Sequence, residues 1–453
     1  MTPLRQRRRA RSWQIATALL VIGICAGQIA AQIPASTYAA RRTAAIRRLG
    51  ADLLVVPARG AFAEADQRGF VQAPDFQYLT GLEELVGSVL VLDGATSSTT
   101  LFVVPPGPRR SVGTLAPGAD TAQSLQFSDV LPIGALESWL RQRFVERQQA
   151  NVYVASADAR GAVEAPPPMA RSLVRWEVWL TALGAARVRP GAAILSPLRD
   201  VKADSELAIL RRVAIASRDA ALAGMRAVAP DRWEHDAELA VVNSCMGTGA
   251  RGVSFWPWTL SGPNATLPSM RKSFVAYDHL DRRMRTGELV RIDVGCQIDH
   301  YMGDVGRTVP VSGRFTSGQR EAWDILIAGY RAGLAAIKHE VSVSFVYDAA
   351  LAEIRRRAAS LETPEGRNAA AILLAPAGRN LWSIHGVGLD DAEGAPDVLS
   401  AGMVVAYEPM FMVDGDAFYL EDMLAITREG YELLTPGLPY TAREIEAAMS
   451  KRR

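Results

Sequence analysis

Two long apolar runs that flank an Asp-Gly dipeptide are the feature that most constrains the fold of this chain. Residues 402–427 read GMVVAYEPMFMVDGDAFYLEDMLAIT. Asp-Gly favours the two-residue turns that join antiparallel strands, because both turn positions adopt positive φ. A turn centred on Asp414-Gly415 predicts a long hairpin in which Glu408 lies directly opposite Glu421.

A second segment with the same apolar flanks carries a second acidic pair. Residues 289–311 read LVRIDVGCQIDHYMGDVGRTVPV. If a two-residue turn falls at Ile298-Asp299, Asp293 comes directly opposite Asp304. Facing residues on neighbouring strands have Cβ atoms roughly 5 Å apart, so the two carboxylates would share one small volume.

The two acidic pairs, with one histidine between them in the chain, predict a site for two divalent metal ions. A single acidic pair is more often two solvated turn residues. Two such pairs, together with a histidine among small residues (SIHGVGL), make a metal site the favoured interpretation. Clustered carboxylates raise one another's pKa unless cations lie among them. Carboxylates with a single imidazole favour Mn²⁺, with Co²⁺, Zn²⁺ and Fe²⁺ as alternatives. The predicted metal ligands are Asp293, Asp304, His385, Glu408 and Glu421.

Around these residues the sequence resembles the superfamily of aminopeptidase P, prolidase and methionine aminopeptidase. The resemblance covers nearly everything after about residue 36 and points to the branch of aminopeptidase P and prolidase. It implies an α+β protein whose catalytic domain has the pita-bread fold. The matching segments are RIDVGCQIDHYMGDVGRTVPVSGRFT, HGVGL, AYEP and LEDMLAIT around the predicted ligands, LSGPNA at 260–265, DFQYLTG at 75–81 and LRDVKADSELAILRR at 198–212.

Changes of pattern divide the chain into a leader, residues 1–31, and two domains. Residues 36–195 alternate strand-like runs such as SVLVLDG with helical runs such as ALESWLRQRFVERQ, which indicates a layered α/β domain. Residues 198–453 contain both acidic pairs and form the predicted pita-bread domain. Pro197 marks the boundary between the two domains.

The resemblance implies a metal-dependent hydrolase, of the aminopeptidase or dipeptidase type, that cleaves the N-terminal bond of short Xaa-Pro peptides. A hydroxide that bridges the two ions would attack the carbonyl. Asp293 would chelate one ion, Asp304 and Glu421 would bridge, and His385 would hold the other. Glu408 would serve as ligand and as proton shuttle. Relatives also imply a homodimer. The alternatives are a metal-binding family member with weak or no peptidase activity and a hydrolase of a non-peptide amide.

The histidines that surround the metal ligands in family peptidases are missing here. The histidine that precedes the first Asp falls at Ser269 or Ala276, depending on which end of the intervening segment the count starts from. Two others fall at Leu381 and Ala392. Each donor lost from a developing oxyanion costs about two to three orders of magnitude in rate. The sequence therefore predicts metal binding more firmly than it predicts proline-directed peptidase activity.

Three polar residues are candidates to replace those donors. His279 could reach inward from an inserted loop and act in catalysis, although a lone histidine in a charged stretch (YDHLDRRMR) is more often solvated. Tyr419 stands where relatives often carry an arginine, and we predict that it binds substrate. His300 falls at the hairpin turn, where we expect it to be exposed.

Two tryptophans, Trp256 and Trp258, precede the segment LSGPNA, which resembles the family's loop at the opening of the site. Aromatic walls suit an apolar or proline-containing substrate, so we predict that both residues contact substrate. Packing in the core of the domain would explain either residue equally well.

The first 31 residues have the composition of a secretory signal peptide. Five arginines precede the apolar run IATALLVIGICAG, which is short for a membrane span, and small residues follow at Ala30-Ala31. We expect cleavage after Ala31 and a periplasmic or secreted protein without stable membrane association; an uncleaved anchor is the alternative. Removal of those arginines with the leader changes the formal net charge from +2 to −3. The remaining basic residues are dispersed along the chain, which predicts no nucleic-acid partner.

Only two cysteines, Cys245 and Cys296, lie outside the leader. Cys296 follows Asp293 by three residues on the presumed strand, where a buried small apolar role is favoured over that of a ligand or nucleophile. A bridge between the two cysteines would suit an oxidising compartment, but their spacing alone leaves it open.

Overall fold

The computed structural model describes residues 33–60, 71–108, 112–155, 176–266 and 280–450. The predicted signal peptide lies outside the described residues, and so do Ser269, Ala276 and His279. Within the described ranges no helix combines the length and the apolar composition needed to cross a membrane.

The N-terminal part of the chain forms a mixed six-stranded sheet that is covered on both faces. Alternate residues of its central strand face two separate cores, since Leu54 and Val56 pack in one core and Leu53 and Val55 in the other. Burial on both faces explains why these strands are continuous apolar runs. The elements are α1 (Ala35–Leu49), β1 (Leu53–Pro57), α2 (Pro74–Thr80), β2 (Val89–Asp93), β3 (Ser98–Val103), α3 (Ala119–Leu125), β4 (Asp129–Pro132), α4 (Leu136–Glu146), β5 (Asn151–Val154) and β6 (Arg187–Pro190). The strand order is β4-β3-β2-β1-β5-β6.

The C-terminal part is built on a second, antiparallel sheet. Its elements are α5 (Ala192–Arg199), α6 (Asp204–Ala227), α7 (Glu234–Gly247), β7 (Gly252–Val253), β8 (Trp258–Ser261), β9 (Leu289–Val294), β10 (Cys296–Ile298), β11 (Tyr301–Met302), β12 (Val305–Pro310), α8 (Ser317–Ala336), α9 (Val343–Arg357), α10 (Pro364–Leu374), β13 (Trp382–Gly386), β14 (Val404–Val413), β15 (Asp416–Ile426), β16 (Tyr431–Leu433) and α11 (Ala442–Ser450). The main sheet has the order β13-β14-β15-β12-β9-β8, with β16 paired to β15, and β11-β10-β7 form a small sheet. Pro197, the predicted boundary, lies inside α5.

The hairpin predicted around Asp414-Gly415 is confirmed. Both turn residues have positive φ, 53° and 86°, and Val413 pairs with Asp416. The same register continues to the pair Tyr407–Asp422, so Glu408 lies opposite Glu421 as predicted.

The turn predicted at Ile298-Asp299 is wrong by one residue. The turn residues are Asp299 and His300, with φ of 50° and 68°, and Ile298 pairs with Tyr301. A β-branched residue is strained at positive φ, whereas Asp and His tolerate it, so the turn forms one position later and Ile298 stays buried on its strand. The shift in register places Asp293 opposite Gly306 instead of Asp304.

His300 is buried, although its position at the turn predicted exposure. Only 4% of its surface is accessible, and its Nε2 lies 3.1 Å from the Glu83 carboxylate of the N-terminal domain. The turn is covered because the tip of this hairpin packs against the other domain. A turn position predicts solvent exposure only where no second domain covers it.

A disulfide joins Cys245 on α7 to Cys296 on β10, with the two Cα atoms 5.4 Å apart. Cys296 is fully buried, as its sequence context predicts, and the bridge left open by the spacing is present. It fastens α7 to the strand that follows Asp293.

A cluster of ion pairs connects the N-terminal domain to the loop that follows His385. Arg199 reaches Asp75 of the N-terminal domain at 2.7 Å and Asp390 of the loop at 2.8 Å. It also contacts Glu393 at 2.6 Å, and Lys202 holds the second oxygen of the same carboxylate at 2.9 Å. The loop is therefore held from outside the main sheet.

Candidate metal centre

The side chains of Asp293, Glu421 and Glu408 form a row across one face of the main sheet, called the acidic row below. Asp293 pairs with Gly306, Gly306 pairs with Glu421, and Glu421 lies opposite Glu408. Residues directly opposite each other in an antiparallel sheet point to the same face, so the carboxylates lie side by side. On the next strand, Ser383 pairs with Glu408. His385 lies two residues after Ser383 on that strand, so its side chain points to the same face as the acidic row.

His385 lies at the centre of three carboxylates. Its Nε2 is 3.4 Å from Glu408 Oε1, 3.6 Å from Glu421 Oε1 and 3.9 Å from Asp304 Oδ2. Its Nδ1 lies 3.1 Å from the carbonyl oxygen of Gly386, to which Nδ1–H can donate. A proton on Nδ1 leaves the Nε2 lone pair directed at the carboxylates, which is the tautomer a metal ligand needs.

The donor atoms of these residues fit a divalent ion. One atom each from Asp304, His385 and Glu421 lies within 4.8 Å of the others. Oδ1 of Asp293, Oδ1 of Asp304 and Oε1 of Glu421 are buried and accept no hydrogen bond from the described residues. A buried carboxylate oxygen without a donor is costly, and cations bound in this cluster would satisfy such oxygens. The five predicted ligands stay a prediction, but all five lie at this one place.

The protonation of the cluster also suits a cation site. Burial, and next the carboxylate of Glu421, raise the pKa of Asp293 and Asp304 well above the usual range. Burial likewise raises the pKa of Glu421.

Burial opposes the charge on His385, but Glu408 and Glu421 outweigh it and raise the pKa of the imidazole. Burial would raise the pKa of Glu408, but His385 outweighs it and lowers that pKa. A cation bound among these groups would favour their deprotonated forms and release protons.

Tyr419 inserts its side chain into the row. Its hydroxyl lies 2.7 Å from Glu421 Oε2 and 3.1 Å from Glu408 Oε2. The ring lies over Gly306, where an added Cβ would be 1.9 Å from its Cε1. The residue is 3% exposed and directs its hydroxyl at the glutamates. Its predicted contact with substrate stays a prediction.

The two tryptophans have different environments. Trp258 pairs with Asp293, so its half-buried ring lies beside the acidic row, where it packs against Leu260 and Ala417. Trp256 is 39% exposed, and its Nε1 donates to Glu238 at 3.1 Å. Trp258 is thus the better placed of the two to line a substrate pocket, and both substrate contacts stay predictions.

Two arginines near the ligands escaped the sequence analysis. Arg291 is 2% exposed on the same face as Asp293, and its Nη1 lies 3.0 Å from Met410 Sδ. Its position two residues before Asp293 on a strand is the signal that could have revealed it. Arg307, on the other face, donates to the backbone oxygen of Glu421 at 2.6 Å and to Asp422 at 2.7 Å. It fixes the strand that carries Glu421.

The positions of the missing histidines offer no side-chain donors where they are described. Leu381 packs against the main core, and Ala392 is exposed on the loop after His385. His279, the predicted catalytic replacement, and the alternative positions Ser269 and Ala276 lie outside the described part of the chain. The catalytic role of His279 therefore stays a prediction.

Two family models match the chain. Residues 208–428 match metallopeptidase family M24, and residues 38–153 match the N-terminal domain of aminopeptidase P. The Xaa-Pro aminopeptidase of Haemophilus influenzae is 24% identical over 462 residues, which cover 93% of this chain and 98% of that protein. The Xaa-Pro aminopeptidase of Escherichia coli is 28% identical over 276 residues, which cover 56% of this chain and 60% of that protein, less than two thirds of its length.

Solved structures share the fold. The aminopeptidase PepP of Pseudomonas aeruginosa superposes with a TM-score of 0.71 at 25% identity, covering 92% of this chain and 98% of that one. Aminopeptidase P of Escherichia coli, with the inhibitor Pro-Leu, superposes with a TM-score of 0.72 at 24% identity, covering 93% and 99%. These likenesses confirm the predicted fold, a pita-bread domain preceded by an α/β domain.

Proposed function

The chain belongs to the aminopeptidase P branch of metallopeptidase family M24, and from this premise we propose that it removes the N-terminal residue of short peptides whose second residue is proline. Membership makes it a metal-dependent peptidase that acts with divalent ions. The observation that carries the proposal is the convergence of His385 with the carboxylates of Asp304, Glu408 and Glu421 on one face of the sheet.

Divalent ions held by Asp293, Asp304, His385, Glu408 and Glu421 would supply a Lewis acid for the scissile carbonyl and lower the pKa of a water. We propose two ions, because four carboxylates need two divalent cations to balance their charge. Mn²⁺ is the first ion to test, since oxygen ligands with one imidazole suit it.

Glu408 is the residue we propose to move protons. Its side chain is 26% exposed, compared with 10% for Asp304 and 0% for Glu421, so it is the most accessible of these three carboxylates. An accessible carboxylate beside the reacting carbonyl can accept a proton from water and deliver it to the departing nitrogen. Trp258 would form an apolar wall beside Asp293 for the proline ring.

The second candidate function is a metal-binding protein with weak peptidase activity, or a hydrolase of a non-peptide amide. It is favoured by Leu381 and Ala392, which provide no side-chain hydrogen bonds at positions where family peptidases carry histidine. Restoring one donor separates the candidates, because the Ala392→His variant should raise kcat/KM on a proline peptide only if that peptide is the true class of substrate.

The test is release of the N-terminal amino acid, measured by mass spectrometry, from an Ala-Pro-Ala peptide and a matched Ala-Ala-Ala peptide with Mn²⁺ present. We expect at least about tenfold preference for the proline peptide, loss of activity on chelation, and a decrease of about 10²- to 10⁴-fold in the Glu408→Gln variant. Release from neither peptide by a chain that binds Mn²⁺ would favour the second candidate function.

We also propose that the chain is exported and acts as a dimer in the periplasm or outside the cell. The arginine-rich start with its short apolar run supports export, and the Cys245–Cys296 disulfide suits an oxidising compartment. N-terminal sequencing of the native protein should begin near Gln32, and light scattering should give the mass of two chains. A full-length chain found only in membranes would contradict export.

A further inference from the structure

The Cys245–Cys296 disulfide lies at the bend where β9 of the main sheet continues into β10 of the small sheet. β9 ends one residue after Asp293, and Cys296 begins β10 two residues later. On the returning strand, β11 ends two residues before Asp304, and β12 begins one residue after it. The disulfide is therefore attached to the bend that separates these two predicted metal ligands.

The two strands are in direct backbone contact at this bend. A Cβ added to Gly295 would lie 1.7 Å from the backbone oxygen of Gly303, the residue before Asp304. Val294 pairs with Val305, and the same register continued by one residue places Gly295 opposite Asp304. A shift of β10 must therefore move the backbone that carries Asp304.

Cys296 is held through its backbone as well as through its side chain. Its N–H donates to Ser217 Oγ of α6 at 2.9 Å. Its carbonyl oxygen accepts hydrogen bonds from Ser254 Oγ at 2.9 Å and from Gly303 N–H at 3.0 Å. The Ser254 hydroxyl also accepts from Gly303 N–H, at 2.9 Å. Because its sulfur is bonded to Cys245 of α7, Cys296 links that helix to the backbone of Gly303.

Reduction of the bridge would force the two cysteines apart. Both are fully buried, with 0% of their surface accessible. Two thiol sulfurs in contact lie roughly 1.5 Å farther apart than two bonded sulfurs. Protein interiors are close-packed and leave little room for that expansion, so β10 must shift relative to α7. The shift reaches Asp304 through the contact between Gly295 and Gly303.

We propose that closure of the Cys245–Cys296 bridge positions Asp304 for metal binding, so that the reduced chain holds divalent ions more weakly than the oxidised chain. Closure forms one S–S bond from two thiols and needs a disulfide donor, which takes up the two protons and two electrons and becomes a dithiol. Reduction by a dithiol reagent is the reverse exchange. Cys245 and Cys296 are then positioning residues, since they act through Asp304. The inference rests on the proposed metal centre and not on which peptide is cleaved.

Calorimetric titration of the metal-free full chain with Mn²⁺ tests the inference. The oxidised wild type is compared with wild type that has been reduced in urea and refolded with the dithiol reagent present. Groups that orient metal ligands typically change metal affinity about ten- to hundredfold, so we expect the reduced chain to bind at least about tenfold more weakly. Circular dichroism establishes that both forms are folded, because a bridge that only stabilises the fold leaves the affinity of the folded chain unchanged.

Cys245→Ala/Cys296→Ala is the matched control for the reagent. This variant has no disulfide, so the dithiol reagent should change its dissociation constant for Mn²⁺ by less than about twofold. An equal loss of affinity in the variant and in the wild type would assign the loss to the reagent and overturn the inference.

Ser254→Ala gives an independent answer with the disulfide intact, even if the reduced wild type does not fold. The change removes the hydroxyl that connects the Cys296 carbonyl oxygen to Gly303 N–H. We expect the variant to bind Mn²⁺ at least about threefold more weakly than the wild type, as the loss of one hydrogen bond allows. Ser312→Ala is the control, since its exposed hydroxyl bonds to the backbone of Arg314, and it should keep the wild-type affinity.

Equal Mn²⁺ affinity of the folded oxidised and reduced wild type would overturn the inference and leave the proposed metal centre intact. Tighter binding after reduction would overturn it as well. If the reduced wild type does not fold, wild-type affinity in Ser254→Ala has the same consequence. A wild type that binds no Mn²⁺ in either form would overturn both the inference and the proposed metal centre.

Discussion

A residue without a side chain decides the shape of the acidic row at the candidate metal centre. Gly306 lies between Asp293 and Glu421, and its missing Cβ leaves the space that the Tyr419 ring fills. Acidic pairs and a histidine leave a recognisable pattern, and from it the sequence predicts five metal ligands. It could not predict the contact between Tyr419 and the glutamates, which depends on the empty volume above a glycine on a neighbouring strand.

Gly306→Ala should destabilise the fold and disorder the acidic row. The new methyl group would lie 1.9 Å from Cε1 of a tyrosine that is only 3% exposed, so the ring must move. We expect a loss of about 1–3 kcal/mol in the free energy of unfolding, measured by urea denaturation.

In a Tyr419→Ala background, the Gly306→Ala change should cost little further stability, because the clash is then absent. Gly134→Ala is the control, since no atom lies within 4 Å of its added Cβ. A Gly306→Ala destabilisation of the same size in the Tyr419→Ala background as in the wild type would show that the ring is not the cause.

At the scale of elements, the two hairpins show what local sequence can specify. The Asp414-Gly415 turn is predicted correctly because both residues suit positive φ. The other turn has no glycine, and only the strain on Ile298 moves it to Asp299-His300. The disulfide could not be predicted from spacing, because it joins a helix and a strand that meet only in the folded chain.

The Cys245–Cys296 bridge should stabilise the fold by about 2–4 kcal/mol, because it closes a loop with a sequence separation of 51 residues. Urea denaturation of Cys245→Ala/Cys296→Ala should show this loss, and reduction of the wild type should reproduce it. The double variant is also the control, because it has no disulfide and a reducing agent should leave its free energy of unfolding unchanged. Equal stability of oxidised and reduced wild type would contradict a stabilising bridge.

At the scale of the whole molecule, the two domains meet at a buried ion cluster that includes residues of the loop after His385. The resemblance predicted both domains, but not that Arg199 would join Asp75 to Asp390 and Glu393, since these residues are 124 to 194 positions away from it in the chain. Glu393 also accepts a hydrogen bond from Leu389 N at 2.9 Å, which fixes the loop after His385.

This cluster predicts a loss of stability in acid. Burial would raise the pKa of Glu393, but Lys202 and Arg199 outweigh it and hold the pKa at about 2, below its usual 4.5. A lowered pKa in the folded state stabilises the fold above pH 4.5, and this contribution is lost as the pH falls towards 2. The shift corresponds to about 3 kcal/mol.

The measurement is the free energy of unfolding in urea between pH 7 and pH 3. The Glu393→Gln variant should be less stable than the wild type at pH 7 and should lose less stability in acid. Glu340→Gln, at a side chain that is 83% exposed, is the control and should follow the wild type. Parallel pH profiles for Glu393→Gln and the wild type would contradict the assignment.

The number of divalent ions that each chain binds shows whether the acidic row and His385 form a metal centre. Elemental analysis after reconstitution with Mn²⁺ and removal of free ions should find about two ions in the wild type, one for each pair of carboxylates. Glu421→Gln should retain markedly fewer, whereas Asp120→Asn, at an exposed residue of the N-terminal domain, should match the wild type. Less than about half an ion per wild-type chain, with Glu421→Gln no different, would show that these residues do not form a metal centre.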